Sequence, residues 1–216
     1  TLALDDELRE RILADNSRLA SRAYRVLGFA QRAADETEVS DAEDDVIETG
    51  LTFLGLQAMI DPVRPEVPGA IDDCRGAGIR VVMVTGDNIE TARAIADELG
   101  LRTEGARSGG EIDAVSDENL QALVAETDVF ARVSPGHKVR ILEALQRTGH
   151  RVAMTGDGVN DAPALRAADV GVAMGLRGTD VAREAADLVL LDDDFTTIRD
   201  AVAEGRGIFD NNRNFV

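Results

Sequence analysis

Short apolar runs alternate with amphipathic helical patterns over the larger, C-terminal part of the chain. The predicted strands cover residues 80–84, 128–131, 151–154, 170–173 and 188–191. The predicted helices cover residues 69–77, 89–99, 117–126, 136–148, 159–168, 179–186 and 195–204. This alternation is typical of parallel strands covered on both faces. We therefore predict an α/β fold with a parallel, Rossmann-like sheet, in which ligands bind at the carboxyl ends of the strands.

The first 60 residues follow a different pattern. A helix is predicted over residues 5–23 and strands over 24–34 and 51–60, which indicates a small α+β remnant. Residues 35–48 carry eight acidic residues and no basic one, as expected of a solvated loop. Three of the five prolines lie in residues 61–68. Because proline fixes φ and restricts its predecessor, we place a stiff connector and the domain boundary there.

The composition excludes several classes of protein. A net charge of −18 argues against a nucleic-acid partner, which would require a basic face. The single cysteine indicates a reducing compartment, and no apolar run is long enough to span a membrane. Of the 23 basic residues only one is a lysine. An acidic surface that retains arginine but has little lysine is what a cytoplasm with a high salt concentration would favour. Since the N-terminus lacks an initiator Met and a signal peptide, we expect an excised fragment of a longer protein.

Residues 154–165, Met-Thr-Gly-Asp-Gly-Val-Asn-Asp-Ala-Pro-Ala-Leu, follow a predicted strand and lead into a helix. Mg²⁺ prefers one or two carboxylates and recruits further oxygen ligands from water and phosphate. We predict Asp157 as a direct Mg²⁺ ligand and Asp161 as a second metal-site carboxylate that orients metal-bound water. Asn160 can hydrogen-bond a phosphoryl oxygen without adding repulsion. The alternative is a strand-to-helix turn with an aspartate as the N-cap.

The sequence from 155 to 165 resembles the metal-binding hinge motif of P-type ATPases, cation pumps whose phosphorylation domain belongs to the haloacid dehalogenase superfamily. Residues 84–96, 178–193 and 205–216 resemble further segments of that family in the same order. The resemblance implies that residues 1–60 are the C-terminal part of a nucleotide-binding domain. It also implies that residues 61–206 are most of a haloacid dehalogenase-like phosphorylation domain, and that 207–216 begin a stalk toward a membrane helix.

Two more groups suit a phosphoryl site. Thr85 and Gly86, in a second Thr-Gly-Asp, follow the strand predicted at 80–84, so the hydroxyl and amide can hold phosphoryl oxygens. A plain helix N-cap is the alternative. Lys138, the sole lysine, is a compact charge that can neutralise a transferring phosphoryl group, and it resembles the phosphate-binding lysine of the superfamily. Its neighbour His137 has no carboxylate partner in sequence and receives no acid–base role.

Residues for nucleotide contact rest on the resemblance alone. Arg25 and Arg132 resemble nucleotide-contacting arginines of the two domains. The sequence from Asp61 to Arg64 resembles the Asp-Pro-Pro-Arg hinge motif, with valine in place of the second proline. The resemblance also implies that Asp87 lies in the nucleotide site.

The family's nucleophile motif, Asp-Lys-Thr-Gly-Thr, does not occur in this chain. The resemblance implies a cytoplasmic part of a membrane pump that couples ATP hydrolysis, through an aspartyl phosphate, to cation transport. It implies ATP and Mg²⁺ as cofactors, and the actuator, nucleotide-binding and membrane domains as partners. This chain alone is then expected to be inactive. Two alternatives stay open: a soluble haloacid dehalogenase-type phosphatase, and a non-enzymatic regulatory module that binds Mg²⁺ or phosphate.

Overall fold

The structure, a computed structural model, describes residues 4–22, 24–33, 49–60 and 62–214. The chain forms two compact units, Thr1–Pro62 and Val63–Val216. Their division falls inside the proline-rich stretch at 61–68, but the assignment of the units to nucleotide-binding and phosphorylation domains stays a prediction. The acidic stretch at 35–48, predicted to be a loop, lies outside the described residues.

The first unit contains a helix and a two-stranded antiparallel sheet: α1 (Asp6–Ala20), β1 (Arg25–Gln31) and β2 (Thr52–Met59). The helix begins where the Asp5 carboxylate accepts a hydrogen bond from the Leu8 amide at 2.8 Å. A bulge between Phe29 and Ala30 shifts the register of the sheet. Among the described hydrophobic residues of this unit, only Ala20 is buried. The small α+β remnant expected from the sequence is present.

The second unit alternates strands and helices. Its strands are β3 (Met83–Val84), β4 (Arg107–Ser108), β5 (Val129–Ala131), β6 (Ala153–Gly156), β7 (Val170–Met174) and β8 (Leu188–Leu190). Its helices are α2 (Val67–Gly76), α3 (Ile89–Glu98), α4 (Gly109–Asp113), α5 (Asp117–Glu126), α6 (Pro135–Arg147), α7 (Ala162–Ala167), α8 (Asp180–Ala185) and α9 (Phe195–Asn214). A 3₁₀ turn at Val159–Asp161 leads into α7.

All strand pairs of the second unit are parallel, in two sheets with the orders β3-β5-β4 and β6-β7-β8. The predicted α/β fold with parallel strands is therefore confirmed. The expected sheet is present as two halves rather than as one. Over the part of the chain that the structure describes, β3 and β6 each pair with a neighbour on one side only.

The central strand β5 shows how helices cover both faces of its sheet. Val129 and Ala131 point into one core cluster, with Ile71 of α2 and Ala92 of α3. Phe130, between them, points into the other cluster, which is otherwise formed by Ile112, Leu120, Val124, Ile141, Ala144 and Leu145. Because the side chains of a strand alternate between its faces, these three buried residues pack against helices on both faces of the sheet. A third, smaller cluster joins β7 to the short helices α7 and α8.

The structure differs from the sequence prediction mainly in the elements around β3 and in the last helix. The strand predicted at 80–84 is reduced to β3, and β4 with α4 was not predicted because Arg107–Ser108 carries no apolar pattern. The last helix, predicted to end at 204, continues to Asn214. Arg206 contributes to this continuation by donating a hydrogen bond to the Ala77 carbonyl at 2.8 Å. In the described ranges, every helix is too short or too polar to cross a membrane.

Candidate active site

Two Thr-Gly-Asp loops lie at the carboxyl ends of parallel strands. Thr85 directly follows β3, and its amide extends the sheet by donating to the Phe130 carbonyl at 2.9 Å. Thr155 and Gly156 end β6, and Asp157 is the next residue. Each loop turns into a helix start, which leaves backbone amides and the positive end of a helix dipole nearby.

The loop after β6 is organised around the buried carboxylate of Asp161. One carboxylate oxygen of Asp161 accepts a hydrogen bond from Lys138 Nζ. The other accepts from the amides of Asp157 and Gly158, at 3.2 Å and 3.1 Å. The ammonium group therefore lies beside the predicted metal loop, although Lys138 is 23 residues away in sequence. The structure thus brings three of the predicted site residues together.

The protonation state of Asp161 is set by these contacts. Burial raises the pKa of Asp161, but the Lys138 ammonium and the amides of Gly158 and Asp157 outweigh burial and hold it below its ordinary value. The Asp161 side chain is 9% exposed and the Lys138 side chain 17% exposed, so solvent screens their attraction weakly. The Asp161 carboxylate is therefore ionised where it accepts from Lys138 and the loop amides.

The position of Asp161 beneath the loop requires a glycine at residue 156. A Cβ atom added to Gly156 would lie 2.5 Å from the Cβ atom of Asp161. Real Cβ atoms do not approach so closely, so any larger residue would displace Asp161 and with it the contact to Lys138.

The loop after β3 is organised locally. The Thr85 hydroxyl donates to the Asp87 carboxylate at 3.0 Å and accepts from the Asp87 amide at 3.1 Å. Two backbone hydrogen bonds join this loop to the segment that precedes Lys138: Arg132 N donates to Asp87 O at 2.8 Å, and Val133 N donates to Thr85 O at 3.2 Å. The Thr85 loop and the helix that carries Lys138 are thus held together.

The remaining predicted phosphate and metal residues are accessible. Gly86, Asp157 and Asn160 are exposed. The carboxylate oxygens of Asp157 are therefore accessible to a cation. The Asp157 carbonyl accepts a hydrogen bond from the Thr179 amide at 2.8 Å, which fixes the backbone of the loop. The roles predicted for these residues in binding metal or phosphate stay predictions.

The donor set fits Mg²⁺ that is completed by a substrate. Within the described ranges, no three His, Cys, Asp or Glu side chains are grouped to hold a metal ion by themselves. Mg²⁺ commonly uses one or two carboxylates together with water and phosphate oxygens, and Asp157 can supply such a carboxylate. Asp161 has both oxygens engaged by Lys138 and the loop amides, which favours its orienting role over direct coordination.

The residues predicted to contact nucleotide belong to both units. Arg25 is exposed at the start of β1 in the first unit, and Asp61 lies outside the described residues. Arg132 is exposed and adopts a left-handed backbone conformation with φ of 48°. Arg64 has a structural contact, since its guanidinium donates to the Asp193 carbonyl at 2.8 Å. The nucleotide roles of these residues and of Asp87 stay predictions.

The structure also reveals a contact that the sequence analysis missed. His137 Nε2 lies 2.8 Å from an Asp113 carboxylate oxygen, and His137 Nδ1 accepts a hydrogen bond from the Ser134 amide at 3.0 Å. The signal in the sequence was the Ser-x-x-His spacing at a helix start, a variant of the Ser-x-x-Glu capping box. The partner Asp113 lies on α4, a helix that the sequence did not predict.

Comparison with known proteins identifies the family of the chain. Residues 2–169 match the family described as haloacid dehalogenase-like hydrolase, and residues 137–202 match a second profile with the same description. The chain is 52% identical over 200 residues to a calcium-transporting ATPase of Bacillus subtilis, a match that covers 92% of this chain and 22% of the relative. A calcium-transporting ATPase type 2C member 1 of Mus musculus is 47% identical over 219 residues, covering 100% of this chain and 22% of the relative.

A third relative gives the same picture. A probable cation-transporting ATPase F of Mycobacterium tuberculosis is 50% identical over 214 residues, covering 96% of this chain and 24% of the relative. The chain therefore spans about a quarter or less of the length of these relatives. The predicted resemblance to cation-transporting P-type ATPases is confirmed, and the chain belongs to the haloacid dehalogenase-like hydrolase family.

Proposed function

We propose that this chain is a cytoplasmic part of a cation-transporting P-type ATPase and forms the phosphoryl-transfer site of its phosphorylation domain. The similarity to transport ATPases over nearly the whole chain supports this proposal. In the complete protein, ATP hydrolysis through an aspartyl phosphate would drive cation transport across a membrane. The actuator domain, the rest of the nucleotide-binding domain and the membrane helices would be its partners.

The observation that carries the proposal is the pair of Lys138 and Asp161 beside the accessible carboxylate of Asp157. An ammonium held next to a metal-binding carboxylate suits a transferring phosphoryl group, because cations on two sides of it neutralise its developing charge. In this site Lys138, the Thr85 hydroxyl, the Gly86 amide and Asn160 would bind phosphoryl oxygens. Asp157 would hold Mg²⁺, which supplies charge neutralisation when bound, and Asp161 would orient Lys138 and the loop.

The nucleophile would come from a segment outside this chain. The two half-sheets offer a place for it, because β3 and β6 each have an edge that is unpaired within the described residues. Val84 of β3 and Val152, which precedes β6, pack against the same core cluster, so both edges border one apolar layer. A parallel strand that paired with both edges would end beside the two Thr-Gly-Asp loops. An aspartate at its carboxyl end would face Lys138 and the Mg²⁺ loop.

On its own, the chain is expected neither to hydrolyse ATP nor to form a phosphoenzyme, because it has the charged site without the nucleophile. Incubation with γ-labelled ATP and Mg²⁺, followed by acid precipitation, measures this directly. Label retained on the protein would contradict the proposed division of the site between this chain and another segment.

Binding of a phosphoryl mimic tests the site itself. Orthovanadate, a tetrahedral phosphoryl mimic, and Mg²⁺ supply ligands and charge for each other, so in calorimetric titration each should tighten the binding of the other, by about tenfold. Asp157→Asn should remove this mutual effect, and Asp161→Asn should weaken it. The control is Asp97→Asn, which changes an exposed carboxylate near the far end of α3 and should keep the mutual effect. Equal Mg²⁺ binding by the original chain and Asp157→Asn would show that the ion lies elsewhere.

A further inference from the structure

The segment that joins β5 to α6 is fixed by three consecutive backbone amides. The first two, those of Arg132 and Val133, donate to the carbonyls of Asp87 and Thr85 in the loop after β3. The third, that of Ser134, donates to a side chain instead, the Nδ1 atom of His137, at 3.0 Å. His137 therefore completes the attachment of this segment at the point where α6 begins.

The hydrogen bonds of His137 define which ring nitrogen carries a hydrogen. Because Nδ1 accepts from a backbone amide, the ring hydrogen lies on Nε2, which then donates to the Asp113 carboxylate at 2.8 Å. The His137 side chain is 13% exposed and packs against Gly109, where an added Cβ would lie 2.7 Å from ring atoms. The ring is thus held by a hydrogen bond on each nitrogen and by close packing on one side.

This arrangement closes a reciprocal cap at the first turn of α6. The Ser134 hydroxyl accepts from the His137 amide at 3.3 Å, while the His137 ring accepts from the Ser134 amide. A cap of this kind normally uses Glu or Gln at the third helical position. Lys138 is the next residue, so the turn that the cap fixes is the turn that aims the ammonium group at Asp161.

We propose that His137 is a positioning residue for Lys138, and that Asp113 holds the His137 ring in the hydrogen-bonding state that this requires. His137 acts through the helix start and has no contact with the reacting groups. Its effect on the position of Lys138 follows from the contacts alone, whereas its importance for phosphoryl transfer rests on the proposed function.

The single lysine of the chain permits a direct test. Lysine labelled with ¹³C at Cε gives one side-chain NMR signal from Lys138 without any assignment. The spectrum of Asp161→Asn supplies the reference position for a lysine that has lost its charged partner. The variants are His137→Ala, His137→Gln and Asp113→Ala. The control is His150→Ala, which changes the only other histidine, an exposed residue beyond the far end of α6.

We expect the signal of His137→Ala to shift toward the Asp161→Asn reference, and Asp113→Ala to shift it less in the same direction. Glutamine can accept from the Ser134 amide, so His137→Gln should restore the original signal, as should the His150→Ala control. If His137→Ala leaves the Lys138 signal in place while the protein remains folded, the proposal is wrong. If His137→Ala unfolds the chain, Asp113→Ala decides the matter: a Lys138 signal that stays at its original position in Asp113→Ala would overturn the proposal.

Orthovanadate binding separates this inference from the proposed function. With Mg²⁺ present, His137→Ala should bind the mimic about fivefold more weakly and His137→Gln should bind it normally, as expected from loss and rescue of one helix cap. A Lys138 shift in His137→Ala, with no mimic binding even by the original chain, would support the positioning role and contradict the proposed phosphoryl site.

Discussion

The same tripeptide, Thr-Gly-Asp, ends two parallel strands of this protein and is stabilised in two different ways. The loop after β3 is closed by its own side chains, since the Thr85 hydroxyl bonds to the Asp87 carboxylate. The loop after β6 is closed from outside the tripeptide, by Asp161 and through it by Lys138. Consequently Asp87 has its carboxylate engaged locally, whereas the Asp157 carboxylate is exposed and makes no hydrogen bond to the described residues.

The difference arises from the residues that follow each tripeptide. After Asp87 comes Asn88, which caps α3 by accepting from the Thr91 amide at 2.9 Å, so the chain enters a helix at once. After Asp157 comes Gly158 and a 3₁₀ turn, which brings the Asp161 carboxylate back beneath the loop. A short motif therefore does not define a site, because the helix start behind it decides which carboxylate is available.

The largest difference between the loops should be seen when their acidic partners are removed. Asp161→Ala leaves the ammonium of Lys138 with little solvent and no carboxylate, and should lower the free energy of unfolding by about 3 kcal/mol. Asp87→Ala removes only an exposed, local contact and should change it by about 0.5 kcal/mol or less. Urea denaturation of both variants measures the two values. Similar losses would mean that the two loops are stabilised alike.

The glycines offer a second and smaller contrast. Gly156→Ala forces a Cβ against Asp161, and should cost about 2 kcal/mol by overpacking. Gly86→Ala places a Cβ where the described structure has no atom within 4 Å, so it should be tolerated within about 0.5 kcal/mol. Thermal unfolding of the pair gives the comparison. A Gly156→Ala protein as stable as the original would show that Asp161 can move away from the loop.

Most helices and strands of the second unit could be predicted from the sequence, because helix caps and apolar spacing are local signals. Helix α5 has the predicted bounds, Asp117–Glu126, since Ser116 caps it and its apolar residues recur at helical spacing. The α4 region had no such signal, because a helix of five residues shows less than two turns of periodicity. The split of the sheet into two halves was also not predicted, since strand pairing depends on which strands are neighbours in space.

The same distinction holds for the candidate site. Asp157, Lys138 and Thr85 were selected from their positions after strands, from residue type and from the resemblance. The contact of Lys138 with Asp161 joins helix α6, which follows β5, to the turn that follows β6 in the other half-sheet, so spacing along the sequence did not indicate it. His137 was passed over because its partner Asp113 is 24 residues away and lies on the unpredicted helix α4.

The two half-sheets also differ at their other ends, where the strands begin. Burial raises the pKa of Asp128, but Arg102 and Arg80 outweigh burial and hold it below its ordinary value. Asp169 instead fixes the approach to β6, because it accepts from the Val152 amide at 3.0 Å, from Arg151 at 2.6 Å and from Gln146. One half-sheet thus begins at an ion cluster, and the other at a carboxylate that holds the backbone directly.

The smallest expected effect tests this second contrast through pH. The Val152 amide, with Arg151 and Gln146, lowers the pKa of Asp169 to about 2. A carboxyl whose pKa is lower in the folded than in the unfolded state stabilises the fold above its unfolded value of about 4 and loses that contribution as pH falls toward 2. Asp169→Asn should therefore be less stable than the original at pH 7, and the difference should shrink between about pH 4 and pH 2. Melting temperatures of both proteins across that range measure the change. A difference that stays constant down to pH 2 would mean that the Asp169 charge does not stabilise the start of β6, and that the side chain acts there only through packing.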